Sequence, residues 1–186
     1  PWQWFANSLN VATITFITNT SLIKRVALPS ELLLLAVILN DAVHFLCSVP
    51  VVMIFVLISG QVPSWHWVVG LPLLMVSQFL LVYGLSLIVG TINVFFRDLQ
   101  HLVSVALNLL FYLTPIIYSE TMVPSEIQKY MYLNPVAPLI VAYRNLFLHG
   151  KIEWHCWMIS LLFGGLTLLA GTLIHRRLRW KFVELL

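Results

Sequence analysis

Long apolar runs that carry almost no charge are the feature that most constrains the fold of this chain. Counting Asp, Glu, Lys and Arg, residues 32–118 contain three charged side chains, Asp41, Arg97 and Asp98. The whole chain of 186 residues is 60% hydrophobic and 9% charged, whereas about a quarter of the residues of a soluble domain are charged. A soluble core cannot bury so much apolar surface. The composition therefore predicts an all-α integral membrane protein, one helical bundle without a separate polar domain.

Five candidate membrane spans follow one another along the chain. They cover residues 4–23, 32–59, 65–94, 102–118 and 154–174. The first is the most polar, because asparagine and threonine side chains are spread along it, and we expect it to face other helices or water rather than lipid. Gly60, Pro63 and Ser64 predict a tight hairpin between the second and third spans.

The distribution of lysine and arginine predicts the orientation of these spans. One side of the membrane receives seven basic residues and the other receives three; the first set is Lys24, Arg25, Arg97, Arg176, Arg177, Arg179 and Lys181, and the second is Lys129, Arg144 and Lys151. Basic residues are enriched on the cytoplasmic side. The turn at Arg97 and the C-terminus are therefore predicted to be cytoplasmic, and residues 119–151 external.

The segment 119–151 is too polar to span a membrane and too apolar for a free loop. Pro124, Pro135 and Pro138 interrupt it, and apolar residues recur at helical spacing between Leu139 and Phe147. This pattern predicts two short helices at the outer membrane surface. An ordinary amphipathic surface loop is the alternative.

The motifs of common catalytic sites are absent from the sequence. It has no Gly-x-x-x-x-Gly-Lys-Ser/Thr phosphate loop, no Cys-x-x-Cys, no His-x-x-x-His and no Gly-x-Ser-x-Gly. Any ATP that drives this protein must be hydrolysed by another chain. Asp41 and His44 lie three residues apart in the second span, where we favour a structural pair over a proton relay. Glu153, His155 and Cys156 lack a fourth ligand, so no metal site is predicted.

The connection between the first two spans has the pattern of a short surface helix. A basic pair, Lys24 and Arg25, is followed by Pro29, which can open a helix, and by Glu31, an acid suited to a first helical turn. We expect a short amphipathic helix over residues 24–32 that presents charge to a cytoplasmic partner. The alternative is that the basic pair only fixes topology.

Taken together, these segments resemble a known family, the ABC-2 type permeases that export polysaccharides, as in O-antigen, capsule and teichoic acid secretion. The resembling segments run in family order over essentially the whole chain. They are residues 19–23 with Lys24, Pro29-Ser30-Glu31, residues 93–101 (Asn-Val-Phe-Phe-Arg-Asp-Leu-Gln-His), residues 111–118, Leu133-Asn134-Pro135 with Pro138 and Arg144, and residues 182–185. The Asn-x-Phe-Phe-Arg-Asp string, with Pro-Ile and Asn-Pro downstream, is the most specific part.

The resemblance implies roles for two inner segments. The family has six spans in each subunit, so we expect this chain to lack an N-terminal surface helix and the first span. Residues 24–32 are similar to the coupling helix that docks on an ATPase subunit; the implied contacts are Lys24, Arg25, Pro29 and Glu31. The turn of Asn93, Phe96, Arg97 and Asp98 is then a second inner contact or a brace between the third and fourth spans, and we favour the brace.

The resemblance also implies an outer gate and a glycan pathway. Residues 122–149 are similar to the gate helices of such exporters, with Pro124, Asn134, Pro135, Pro138 and Arg144 as the gate residues. A moving polymer needs weak, repeated binding, which stacking of sugars on aromatic rings can supply. The candidate rings are Trp4, Phe5, Phe16, Tyr112, Tyr118, Tyr132 and Tyr143. For each ring, packing within the bundle is the alternative, and the polar first span is expected to line a channel between two subunits.

The function that the resemblance implies is transport. The chain would be the permease subunit of an ATP-driven exporter of lipid-linked polysaccharide across the bacterial inner membrane, a homodimer working with two ATPase chains. ATP and magnesium would be bound by the ATPase, with no cofactor in this chain and no nucleic-acid partner. The alternatives are an ABC-2 exporter of a drug or lipid, a membrane-embedded glycosyl or acyl transferase, and a passive membrane scaffold.

Overall fold

The computed structural model describes residues 1–25, 29–60, 64–119, 122–124 and 130–181. Within these ranges the chain is helical and has no β-strand. The helices are α1 (Trp2–Thr18), α2 (Thr20–Arg25), α3 (Glu31–Ile58), α4 (His66–Phe95), α5 (Leu99–Leu113), α6 (Ala137–His149) and α7 (Trp154–Leu178), which continues into a 3-10 turn, Arg179–Lys181. The predicted all-α fold is therefore confirmed for the described part of the chain.

Three of these helices are long and apolar enough to cross a membrane. They are α3, α4 and α7 with its 3-10 turn, and they agree with the second, third and fifth predicted spans. At 1.5 Å per residue, the 28 residues of α3 extend about 42 Å, more than the roughly 30 Å of a bilayer core. The 17 residues of α1 and the 15 of α5 reach only about 26 Å and about 23 Å.

A polar cap and a proline set two boundaries that the hydropathy pattern placed differently. The first predicted span is divided at Asn19, whose side-chain amide donates to the Thr15 carbonyl where α1 ends. The fourth ends at Leu113 instead of residue 118, because Pro115 holds the preceding Thr114 in an extended conformation, φ −94° and ψ 137°.

The surface helix predicted over residues 24–32 is also interrupted in the described residues. α2 ends at Arg25 and α3 begins at Glu31, with Pro29 and Ser30 before it. Residues 26–28 lie outside the described ranges.

The centre of the bundle is the contact between α4 and α7, which run parallel. Trp157 donates its indole N–H to the Leu73 carbonyl (3.2 Å) near the start of both helices, and Thr91 bonds His175 (2.8 Å) near their ends. Between these points the two backbones touch. A Cβ on Gly84 would lie 2.4 Å from the Leu168 nitrogen, so glycine is what permits this close approach.

α1 and α3 pack on this pair, and aromatic rings fill the space between them and α6. Trp4 stacks on Phe45 with ring centroids 5.7 Å apart, Phe45 meets Tyr143 edge to face, and Phe147 meets Trp67. Large apolar side chains stay exposed on the outward faces of α3, α5 and α7, as expected of surfaces that contact lipid.

Contacts at the helix termini place three sequence segments at one end of the bundle. Ser30 and Thr91 both lie within hydrogen-bonding distance of His175, and Asn93 bonds the start of α5 at Gln100. The start of α3, the α4–α5 turn and the end of α7 therefore lie together. We call this the basic end, because Arg97, Arg176, Arg177, Arg179 and Lys181 are there. The helix α6 packs near the opposite end, where Phe147 meets Trp67.

Candidate functional site

A polar groove runs along the surface between α1 and α3. Its volume is about 500 Å³, and its lining is Pro1, Gln3, Trp4, Ala6, Asn7, Asn10, Asp41, His44, Phe45 and Ser48. Positions 3, 7 and 10 share one face of α1, and positions 41, 44 and 48 share one face of α3. The helix α1 belongs to the polar first span that the sequence predicted to line a channel between two subunits, and this role stays a prediction.

Asp41 is the acidic residue of the polar groove, and two hydrogen bonds hold its carboxyl group. It is 7% exposed, and its carboxyl group accepts hydrogen bonds from the Asn7 amide (2.8 Å) and the Ser8 hydroxyl (2.7 Å). Its described partners thus come from α1, while His44, expected to pair with it, is exposed. Asp41 lies ten residues into α3, about 15 Å along the axis and near half the thickness of a bilayer core.

A cluster at the basic end joins three helices, and we call it the inner latch: Ser30, Glu31, Thr91 and His175. The His175 ring is fully buried, with Nε2 3.1 Å from the Ser30 hydroxyl and Nδ1 2.8 Å from the Thr91 hydroxyl. A Glu31 carboxylate oxygen lies 3.8 Å from Nε2. The sequence did not single out Thr91 or His175, although an ionisable residue within a span was the available signal for His175.

The predicted coupling residues lie beside the inner latch. Lys24 and Arg25 end α2, and their side chains lie outside the described part of the structure. Pro29 is exposed, and Glu31 is partly exposed in the first turn of α3. Glu31 therefore has one side toward His175 and one side toward solvent, so a partner at the basic end can reach it.

Asn93 connects α4 to α1 and α5 beside the Phe-Phe-Arg-Asp turn, whose role as a brace stays a prediction. Its fully buried amide donates to the Thr13 carbonyl of α1 (2.8 Å) and accepts from the Gln100 backbone N–H of α5 (3.1 Å). Arg97 and Asp98 are exposed and form no ion pair with a described residue. The Phe96 side chain is also exposed, at 69%. In the described structure the bracing contact is made by the amide, and the charged pair faces outward.

A second cluster ties α6 to the end of α5, and we call it the outer clamp: Thr114, Pro115, Ile116, Asn134 and Arg144. The Arg144 guanidinium donates to the carbonyls of Pro115 (2.7 Å) and Ile116 (3.0 Å). The Asn134 amide donates to the Thr114 hydroxyl (2.8 Å). The two family-like segments at 111–118 and 133–144 are therefore brought together by these contacts.

The prolines of the predicted gate occupy different positions around the outer clamp. Pro138 is buried in the first turn of α6, where a proline is well tolerated, and Pro135 is partly buried just before it. Pro124 is exposed in a short described segment. Residues 125–129, within the predicted gate, lie outside the described ranges, as do residues 182–186 with the last family-like segment.

The predicted pathway aromatics fall into two groups. Trp4, Phe5, Phe16 and Tyr143 are at most 3% exposed and pack inside the subunit. Burial raises the pKa of the Tyr143 hydroxyl well above its ordinary value. Tyr112 is 72% exposed, and Tyr118 and Tyr132 are partly exposed. Of the first group, Trp4 also borders the polar groove.

The described residues hold no group of three His, Cys, Asp or Glu side chains that could bind a metal ion. The arrangement instead offers a polar groove within the membrane-spanning part and two clusters that connect helices at its ends.

Comparison with known proteins gives consistent matches. The ABC-2 type transporter family matches residues 1–148. Two proteins from Klebsiella pneumoniae named "O-antigen export system permease protein RfbA" are 36% and 35% identical over all 186 residues, which correspond to 72% of each relative. A protein of the same name from Myxococcus xanthus is 31% identical over 154 residues, which are 82% of this chain and 59% of that relative.

Proposed function

Because this chain belongs to the ABC-2 type transporter family, we propose that it is the permease subunit of an ATP-driven exporter of O-antigen-like polysaccharide. The observation that carries this proposal is its similarity, along its entire length, to proteins named as O-antigen export permeases. The polar groove adds physical support, because a glycan crossing a membrane needs a polar surface within the apolar helices.

The energy for export comes from a separate ABC ATPase in this proposal. Two ATPase chains bind ATP and magnesium and dock at the basic end, against the segment from Lys24 to Glu31. Glu31 is suited to such docking because it is partly exposed and lies next to the inner latch. A push on this segment is passed through His175 to the ends of α4 and α7, which moves the helices as packed bodies.

The permease works as a homodimer in the bacterial inner membrane, with the basic end in the cytoplasm. The seven basic residues predicted for one side support this orientation. In each subunit of the dimer, α1 and α5 cross the membrane together with α3, α4 and α7, which makes five spans. The family unit has six spans. The outer clamp positions the gate at the external side, and Tyr112, Tyr118 and Tyr132 offer rings to the passing glycan.

Co-expression and gene deletion test the proposed function. The full-length permease is expressed with the ABC ATPase encoded beside it, and we expect the two chains to copurify. We also expect deletion of the permease gene to remove surface polysaccharide, with recovery when the gene is restored. The proposal is wrong if the chains do not associate and the deletion leaves surface polysaccharide unchanged.

A further inference from the structure

The position of the polar groove limits what can cover it. Asn7, Asn10 and His44 are exposed beside the buried Asp41, which lies ten residues and about 15 Å into the long apolar helix α3. An unpaired amide or hydroxyl in hydrocarbon costs several kcal/mol, and a charged group costs more. Lipid chains are therefore a poor covering for this face. Water or a polar ligand satisfies the exposed groups at far lower cost.

The groove still has hydrogen-bonding capacity after its own contacts are counted. Asn7 uses one of two amide N–H groups on Asp41, and each carboxyl oxygen of Asp41 receives one of the described bonds. The Ser48 hydroxyl donates to the Phe45 carbonyl and keeps its lone pairs as acceptors. The buried Trp4 indole N–H at the groove has no partner among the described residues.

The chemistry of the lining distinguishes between possible polar ligands. Phosphate and pyrophosphate groups are bound chiefly by arginine, lysine and backbone N–H groups. The described lining contains neither lysine nor arginine, and it contains one acidic residue. Sugar hydroxyl groups both donate and accept, which suits a mixture of carboxyl, amide, imidazole and hydroxyl groups beside an aromatic ring.

We propose that the polar groove between α1 and α3 is a binding site for sugar units of the exported glycan, which it holds through their hydroxyl groups. Asp41, fixed by Asn7 and Ser8, is the central acceptor, while Asn10 and His44 offer further hydrogen bonds. The groove is partly open to the surface of the bundle, so each unit binds weakly and can move on. This inference rests on the proposed function and assigns a substrate site within it.

The first test removes polar groups that do not hold the helices together. In the full-length permease, copurified with its ATPase in lipid nanodiscs, Asn10→Leu and His44→Leu are compared with the native protein. The probe is purified lipid-linked polysaccharide, and the readout is the polymer concentration that half-maximally stimulates ATP hydrolysis. Loss of one hydrogen bond is expected to raise this concentration about two- to tenfold for each variant.

Thr172→Leu is the matched control for these two variants. It replaces a polar residue by leucine on α7, outside the groove, where the hydroxyl bonds only to the Leu169 carbonyl of its own helix among the described contacts. We expect its response to polymer to equal that of the native protein. The site assignment is wrong if Asn10→Leu and His44→Leu also respond like the native protein while remaining bound to the ATPase.

The second test measures whether water reaches the groove and whether the glycan covers it. With the exposed Cys47 replaced by serine and the buried Cys156 kept, Asn10→Cys adds one accessible cysteine, and Leu166→Cys on the exposed apolar face of α7 is the control. A charged thiol reagent is expected to modify the cysteine at position 10 and to leave the control unmodified. Modification should slow severalfold in cells that make the polysaccharide, relative to cells that do not.

Other outcomes of the labelling overturn the site. No reaction at position 10 would mean that lipid or another protein segment covers the groove. Reaction at an unchanged rate with and without polysaccharide would mean that the groove is wet but does not hold the glycan. In either case an intact permease that binds its ATPase and restores surface polysaccharide leaves the proposed function standing, so the two failures are distinguishable.

Discussion

Asp41, Asn93 and His175 are polar residues within helices, and each connects helices that are distant in sequence. Asn93 joins α1 to α5, Asp41 joins α3 to α1, and His175 joins α7 to the start of α3 and the end of α4. Most of these contacts are hydrogen bonds between uncharged groups. Such bonds cost less desolvation than a buried ion pair does, which suits a bundle surrounded by lipid.

Asn93→Ala should destabilise the permease through loss of both brace contacts. The Gln100 N–H would lose its described partner, at about 1–3 kcal/mol for a buried group left unsatisfied, and the Thr13 carbonyl would lose its bond to α4. We expect a lower melting temperature in detergent, by about 2–4 °C for each kcal/mol in a protein of this size. Asn108→Ala, the same change at an exposed position of α5, should leave the melting temperature unchanged; equal melting of both variants would contradict the brace.

Glu31→Arg should uncouple ATP hydrolysis from export while the protein still inserts in the membrane. The change reverses the charge at the proposed docking segment and places a cation near the buried His175 ring. The measurement is the amount of polysaccharide exported per ATP hydrolysed, which we expect to fall severalfold. Glu153→Arg makes the same charge reversal at the start of α7, away from the basic end, and should have little effect. Unaltered export by Glu31→Arg would remove the coupling assignment.

At the scale of elements, the α4–α7 pair is the rigid part of the bundle. Glycines on both helices bring the backbones into contact: a Cβ on Gly171 would lie 2.4 Å from the Gly84 carbonyl oxygen. The inner latch and the Trp157 bond hold the two ends of this pair in register. The helix α6 is joined to the end of α5 by the hydrogen bonds of the outer clamp, and its apolar residues are buried against the rest of the bundle.

Gly84→Ala should disrupt the contact between α4 and α7, although the substitution adds only one methyl group. The added methyl group would meet backbone atoms of Thr167 and Leu168 at 2.4 Å, which side-chain rotation cannot relieve. Overpacking of this kind costs about 1–3 kcal/mol or more. The yield of folded protein and its melting temperature should both fall.

Gly165→Ala tests the same chemical change at an open position of α7. A Cβ there would have no heavy atom within 4 Å, so we expect native yield and melting temperature. If both glycine variants behave alike, the close approach of α4 and α7 is not the source of the effect.

At the scale of the whole molecule, the bundle has two chemically different ends. The basic end gathers the start of α3, the α4–α5 turn and the end of α7, and the opposite end carries α6 and the exposed Lys151. The polar groove lies between them. This arrangement agrees with entry of energy at one end, passage of a polar polymer along the middle and a gate at the other end.

Labelling of introduced cysteines in intact cells, with the buried Cys156 kept, tests the orientation of the two ends. In a background with Cys47 replaced by serine, Lys151→Cys should react with a membrane-impermeant thiol reagent from outside the inner membrane. Arg179→Cys should react only after the membrane is permeabilised, because the basic end is proposed to be cytoplasmic. The reverse pattern would invert the topology and exclude ATPase docking at Glu31.

The sequence by itself determined the class, the all-helical fold, three long spans and the family. These follow from properties that add up along the chain: hydropathy over about 20 residues, prolines that stop helices, and short motifs such as the one beginning at Asn93. Hydropathy was less informative for the boundaries at Asn19 and Leu113, because the cap and the proline act over single turns.

Only the tertiary structure decided which polar residues meet. The partners of Asp41 lie 33 and 34 residues away, and those of His175 lie 84 and 145 residues away. The Asp41–His44 spacing indicated a local pair, yet the carboxyl group turns to α1. Such contacts depend on how far each helix is rotated and how deep it sits beside its neighbours. Close approach at glycines such as Gly84 sets both quantities, and no local pattern in the sequence records them.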